Sequence, residues 1–152
     1  MQTDEKTLIV AADGVHARLF EELRQGGRLA ERADLLDGLA ATHKAASARA
    51  TVHDRMGFAQ HATDGHDPHR QSEEDFLRRL AERIGVVIRD ERFEALILFA
   101  PPRALGVLRE HLDPQARARL AHDADADRVD ETPDALREHV RALRFPVSAE
   151  RR

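Results

Sequence analysis

Leu8–Ala12 and Ala95–Ala100 are apolar at every position. Runs this short cannot make buried helices, so each predicts a strand covered on both faces. Asp13-Gly14 ends the first run and predicts a two-residue hairpin turn, because that dipeptide tolerates the positive φ such turns require. Val15, Ala17 and Leu19 then alternate with His16, Arg18 and Phe20, the pattern of a half-buried second strand. Gln25-Gly26-Gly27 turns the chain again. Leu29, Ala33 and Leu35 at even spacing predict a weaker third strand, and the front of the chain reads as an antiparallel meander.

The period changes to that of helices in the second half. Leu39–Ala50 is alanine-rich with few large apolar residues, a short helix at most. Ser72-Glu73-Glu74-Asp75 has serine at the cap and carboxylates in the first turn, where they meet the positive end of the helix dipole. Phe76, Leu77, Leu80, Ile84, Val87 and Ile88 follow on one stripe, with Arg78, Arg79, Glu82 and Arg83 off it. Pro101-Pro102 stops the second apolar strand and starts a helix over about 103–112 that buries Leu105, Leu108 and Leu112. Asp113-Pro114 breaks that helix, a strand is expected over about 117–123, and Thr132-Pro133 caps a last helix presenting Leu136, Val140 and Leu143. The order is βββαβαβα, an α/β fold with three antiparallel strands followed by parallel strands and helices on both faces. This is the ribonuclease-H-like plan, with the two apolar strands paired in parallel at the centre. It predicts a single domain over 1–146, a long loop at about 51–70 and a frayed tail over 147–152.

Composition narrows the function. The chain has 152 residues, no cysteine and a formal charge of −4. Disulfides, zinc-thiolate sites and thiol nucleophiles are thereby removed. The start Met1-Gln-Thr-Asp-Glu-Lys lacks the plan of a signal peptide, and no apolar run approaches membrane-spanning length, so the expectation is a cytoplasmic protein with no membrane partner. The negative charge is concentrated between Asp113 and Glu138. A polyanion would be met by the remainder of the chain. Trp and Tyr are absent, which leaves little for base stacking.

The chemistry lies in Thr51–Arg70, which follows neither a helical nor a strand period and holds His53, His61, His66 and His69 beside Asp54, Asp64, Asp67, Arg55 and Arg70. Loops this long inside a domain tend to be functional or disordered. Imidazoles with carboxylates suit zinc, nickel or iron, which makes His53, His61, His66 and His69 metal candidates; their spacings of eight, five and three match no structural-zinc pattern. Arg55 and Arg70, with partly charged imidazoles, suit phosphates instead. Two-metal nuclease chemistry needs acids on the central strands, and neither Leu8–Ala12 nor Ala95–Ala100 has one. Ser47, Ser72 and Ser148 lie in no nucleophile elbow, and no nucleotide-cradling glycine motif occurs, so no catalytic residue and no cofactor is assigned. Ligands of open α/β sheets gather at the carboxyl ends of strands, which adds Asp13, Arg18 and Arg103 to the candidate contact surface.

Leu8-Ile-Val-Ala-Ala-Asp-Gly14 with Ala17-Arg-Leu-Phe20, Asp54-Arg-Met-Gly57, and Ala100-Pro-Pro-Arg-Ala-Leu-Gly-Val-Leu-Arg109 together resemble the bacterial host attachment proteins, from about Thr7 to Val140. The resemblance implies a distant likeness to the middle domain of archaeal and eukaryotic class-1 release factors, where a Gly-Gly-Gln loop before a long helix enters the peptidyl-transferase centre. Here the corresponding text is Gly57-Phe58-Ala59-Gln60, without paired glycines. What the resemblance implies is therefore a role at RNA or the ribosome rather than peptidyl-tRNA hydrolysis. Three readings stay open: a non-enzymatic binding module using His53, Asp54, Arg55, Gly57, Gln60, His61, His66, Asp67, His69 and Arg70; a metal-binding protein or metal-dependent hydrolase using the histidines; and an indirect role in attachment to host cells.

Overall fold

The computed structural model describes residues 4–37, Leu39 and 68–147. Five strands, β1 (Thr7–Ala12), β2 (Ala17–Glu22), β3 (Ala30–Glu31), β4 (Ala95–Ala100) and β5 (Leu120–Asp125), form one sheet in the order β3-β2-β1-β4-β5. The helices are α1 (Pro68–Glu91), α2 (Pro102–His111), α3 (Pro114–Ala118) and α4 (Pro133–Arg144), with a 3₁₀ turn at Ala33–Leu36. β1 pairs antiparallel with β2 and parallel with β4, from Thr7 opposite Ala95 to Ala11 opposite Phe99. The mixed sheet with parallel strands at its centre accords with the ribonuclease-H-like arrangement expected from the order of elements.

Both central strands are buried at every position, and their side chains alternate between two cores. Leu8, Val10, Leu96 and Leu98 face a core with α1 and α2, centred on Leu80, Ile84 and Leu108. Ile9, Ala11, Ile97 and Phe99 face the other, under Leu136 and Val140 of α4. Helices on both faces are why these strands read as unbroken apolar runs rather than as alternation.

Several boundaries differ from expectation. Among the described residues positive φ occurs at Gly26 and Arg92, so Gly14 does not use the left-handed region. The turn is closed instead by Asp13, whose Oδ1 accepts from Val15 N at 2.8 Å and His16 N at 2.6 Å. β2 buries Phe20 as well as Leu19, one in each core, because α4 covers the face assumed to meet solvent. β3 has two residues; Leu35 and Leu36 are consecutive buried residues of the 3₁₀ turn, a pattern no strand produces. Asp113-Pro114 is a helix start rather than a break: Asp113 Oδ1 accepts from Ala116 N at 2.8 Å and opens α3, which displaces β5 toward Asp125. α1 begins at Pro68, four residues before the serine expected to cap it. The alanine-rich helix lies outside the described residues except for Leu39, which is helical and buried.

Candidate functional site

α1 runs from the carboxyl end of β1 back to its amino end, where Lys6 Nζ donates to Glu91 O at 2.6 Å. Its 24 residues span about 36 Å, against about 20 Å for a six-residue strand, so the first turns overshoot the sheet. The level is set by Gly14, where a β-carbon would lie 2.7 Å from the Glu73 side chain. Glu73 and Glu74 meet Arg103, from the first turn of α2, at 3.5 and 3.3 Å. A line Gly14–Glu73–Arg103 thus joins the carboxyl ends of β1 and β4. Pro102 at N1 of α2 positions Arg103 by starting that helix directly after the strand.

Arg18 lies at the same edge in a different role. Its Nε and Nη2 donate to Glu31 Oε2 and Oε1 at 3.1 and 2.8 Å, and Nη1 donates to the carbonyls of Val129 and Glu131 at 2.9 and 2.8 Å. The guanidinium also stands 5.0 Å from the Phe20 ring centroid. The hydrogen bond from Arg18 holds the Glu31 carboxyl below the ordinary glutamate value, and the same bond raises the arginine. Arg18 therefore ties the β5–α4 connection to β2 and β3, and is not the solvent-facing strand residue expected from alternation.

Beside this tie is a cavity of about 180 Å³. Leu36, Leu39, Phe76 and Val129 give it an apolar wall, with His16 and Asp130 also lining it. His16 Nδ1 lies 3.5 Å from Asp13 Oδ2. The arrangement suits non-covalent binding of a small apolar group at the strand ends, the usual place for ligands in open α/β sheets.

Of the residues singled out by sequence, His53, Asp54, Arg55, Gly57, Gln60, His61, His66 and Asp67 lie outside the described residues. His69 and Arg70 are exposed positions in the first turn of α1, not loop residues. Asp13, Arg18 and Arg103 do gather at one edge, engaged respectively with the turn, with Glu31 and two carbonyls, and with Glu73 and Glu74. Among the described residues no group of three or more His, Asp and Glu is arranged to hold a metal ion. Glu31, Val129 and Asp130 carry no signal in the sequence, since only β-pairing and the return of the chain before α4 bring them beside Arg18, whereas Phe76 reaches the cavity from the apolar stripe of α1. The carboxylates of Glu73 and Glu74 were read as helix-start residues; the signal for their second role is Arg103 directly after the double proline.

Among the described residues no helix is long and apolar enough to cross a membrane. No curated protein matches the chain. Residues 8–140 match the family described as protein required for attachment to host cells, a span from the second residue of β1 to the last apolar core residue of α4. The chain belongs to that family.

Proposed function

We propose that this host-attachment-family protein is a non-catalytic docking module that meets RNA or the ribosome through residues 51–70, and that it serves attachment indirectly. One placement supports the reading. α1 overshoots the sheet at the edge where Asp13, Arg18 and Arg103 gather, and its first turn carries His69 and Arg70, the last members of the histidine- and arginine-rich stretch. A partner reaching His69 and Arg70 approaches the strand ends at the same time. The hydrogen-bond donors of Arg55, Arg70 and the imidazoles suit phosphate oxygens. The implied likeness to the release-factor middle domain, in which a loop before a long helix meets ribosomal RNA, favours the ribosome as the source of that RNA.

Cosedimentation of the full chain with ribosomes tests this. The reading expects the protein in the ribosomal pellet at low salt and its release as salt rises. Replacing His53, Arg55, His61, His66 and Arg70 together with glutamine should abolish pelleting while leaving the circular dichroism spectrum unchanged. Absence of the wild-type protein from the pellet, or equal pelleting of the variant, would remove the proposal.

A further inference from the structure

At the opposite pole, where Glu22 ends β2 opposite Thr7, a second cleft of about 280 Å³ separates the β2–β3 turn from the last turns of α4. Hydrogen bonds cross-link its walls. The side chains of Arg144 and Glu22 are only 9% and 1% exposed, and Arg144 holds both carboxylate oxygens at 2.9 and 2.7 Å. Glu22 Oε2 also accepts from Gly26 N at 3.0 Å. From the helix side, Arg137 Nε and Nη2 donate to Gly26 O at 3.2 and 2.7 Å. Turn and helix are thus stitched together around the cleft.

The charges left over are positive. Arg144 and Glu22 neutralise each other, whereas Arg137 uses two of its five N–H groups on a neutral carbonyl and keeps its charge. Arg141 lines the cleft without a hydrogen bond or ion pair from its side chain to another described residue. Glu138 stands against these two cations, leaving an excess of one. The carboxyl end of α4 carries a partial negative charge, which disfavours a bare anion of high charge. The turn contributes Gln25 and Gly26 to the lining, and its apolar part is Val140 beneath and Phe145, which is 69% exposed despite its size.

We propose that this cleft binds a small amphipathic carboxylate, with the carboxylate on Arg141 and Arg137 and the hydrocarbon or aryl body on Val140 and Phe145. Arginine offers a carboxylate two parallel N–H donors, and a volume near the lower end of ligand sites selects small molecules. The site lies at the other pole from the docking edge and does not depend on the reading given above.

Titration of the full chain with octanoate, octanol and inorganic phosphate, followed by amide chemical shifts, tests the proposal. Octanoate is expected to saturate and to move the amides of Gln25, Gly26 and residues 137–145. Octanol and phosphate should each bind at least ten-fold more weakly, since one lacks the charge and the other the apolar body. Arg141→Ala should weaken octanoate at least ten-fold without shifting the thermal midpoint, and Arg103→Ala, at the far pole, should leave it unchanged. Non-saturating octanoate shifts, equal binding of octanol or phosphate, or full affinity in Arg141→Ala would overturn it.

Discussion

Arg18 of β2 and Glu31 of β3 meet in a two-point contact, Nε to Oε2 at 3.1 Å and Nη2 to Oε1 at 2.8 Å, and the arginine reaches past it to the carbonyls of Val129 and Glu131. One side chain therefore joins the meander to the segment that enters α4. Both partners are partly exposed, so the ion pair itself contributes about 0.5 kcal/mol. Most of the stabilisation comes from the two carbonyls, which lose their partner when the guanidinium is removed. Arg18→Ala is expected to cost about 2 kcal/mol in urea unfolding. Arg18→Lys should recover less than half of that, because lysine cannot form the fork.

The same contact sets a pH dependence. The Glu31 carboxyl is held below its ordinary value of 4.5, chiefly by the hydrogen bond from Arg18. A lowered folded-state value means that the unfolded chain binds the proton more tightly. The contribution is therefore complete above pH 4.5 and is lost as pH falls through the lower folded-state value. Arg18→Ala should lose less stability than wild type between neutral pH and that acidic range, by under about 1 kcal/mol given the exposure of the pair. Paired urea titrations along the pH series measure the difference.

Gly85 lies inside α1, where helix propensity alone favours alanine by about 1 kcal/mol. A β-carbon there would stand 2.5 Å from Asp113 Oδ2. Asp113 cannot simply swing aside, since its other oxygen caps α3 and Arg89 lies 3.3 Å away. Gly85→Ala is expected to destabilise by about 1–2 kcal/mol, with the sign opposite to propensity. Thermal unfolding decides between the two signs.

Among the described residues, Arg92 is the non-glycine residue with a positive φ. It follows α1 with φ 61°, and Phe93 N donates to Ile88 O at 3.1 Å, the bond that closes a Schellman motif. Phe93 is buried, so the motif aims the chain into β4. Arg92→Gly should stabilise by about 0.5–1 kcal/mol, because glycine adopts the left-handed region without strain. Chemical unfolding measures the shift in midpoint.

The sheet centre was legible because a strand covered on both faces has no polar alternation to confuse. Leu8–Ala12 and Ala95–Ala100 accordingly pair in parallel as read. β2 was half-read: the alternation of Leu19 with Phe20 is real, but both positions are inside, which depends on a helix more than a hundred residues later. Leu35 suggested a strand by even spacing while its neighbour Leu36, also buried, carried the contrary signal. Asp113-Pro114 carries the same cap chemistry as Thr132-Pro133, but it follows a helix directly, where proline also signals a stop. Asp13, Arg18 and Arg103 lie at one edge, and the partners of the two arginines come from tertiary contacts that no local pattern encodes.

The docking account rests on phosphate contacts made from the 51–70 stretch, and salt dependence measures those most directly. Binding of a ribosomal RNA fragment to wild type, Arg55→Ala and Arg70→Ala should be followed by fluorescence anisotropy over a range of salt concentrations. The account predicts a linear fall of log affinity with log salt, its slope shallower by about one for each arginine removed, with Arg141→Ala at the far pole unchanged. A wild-type protein with no salt-dependent affinity, or arginine variants whose slopes equal that of wild type, would contradict it.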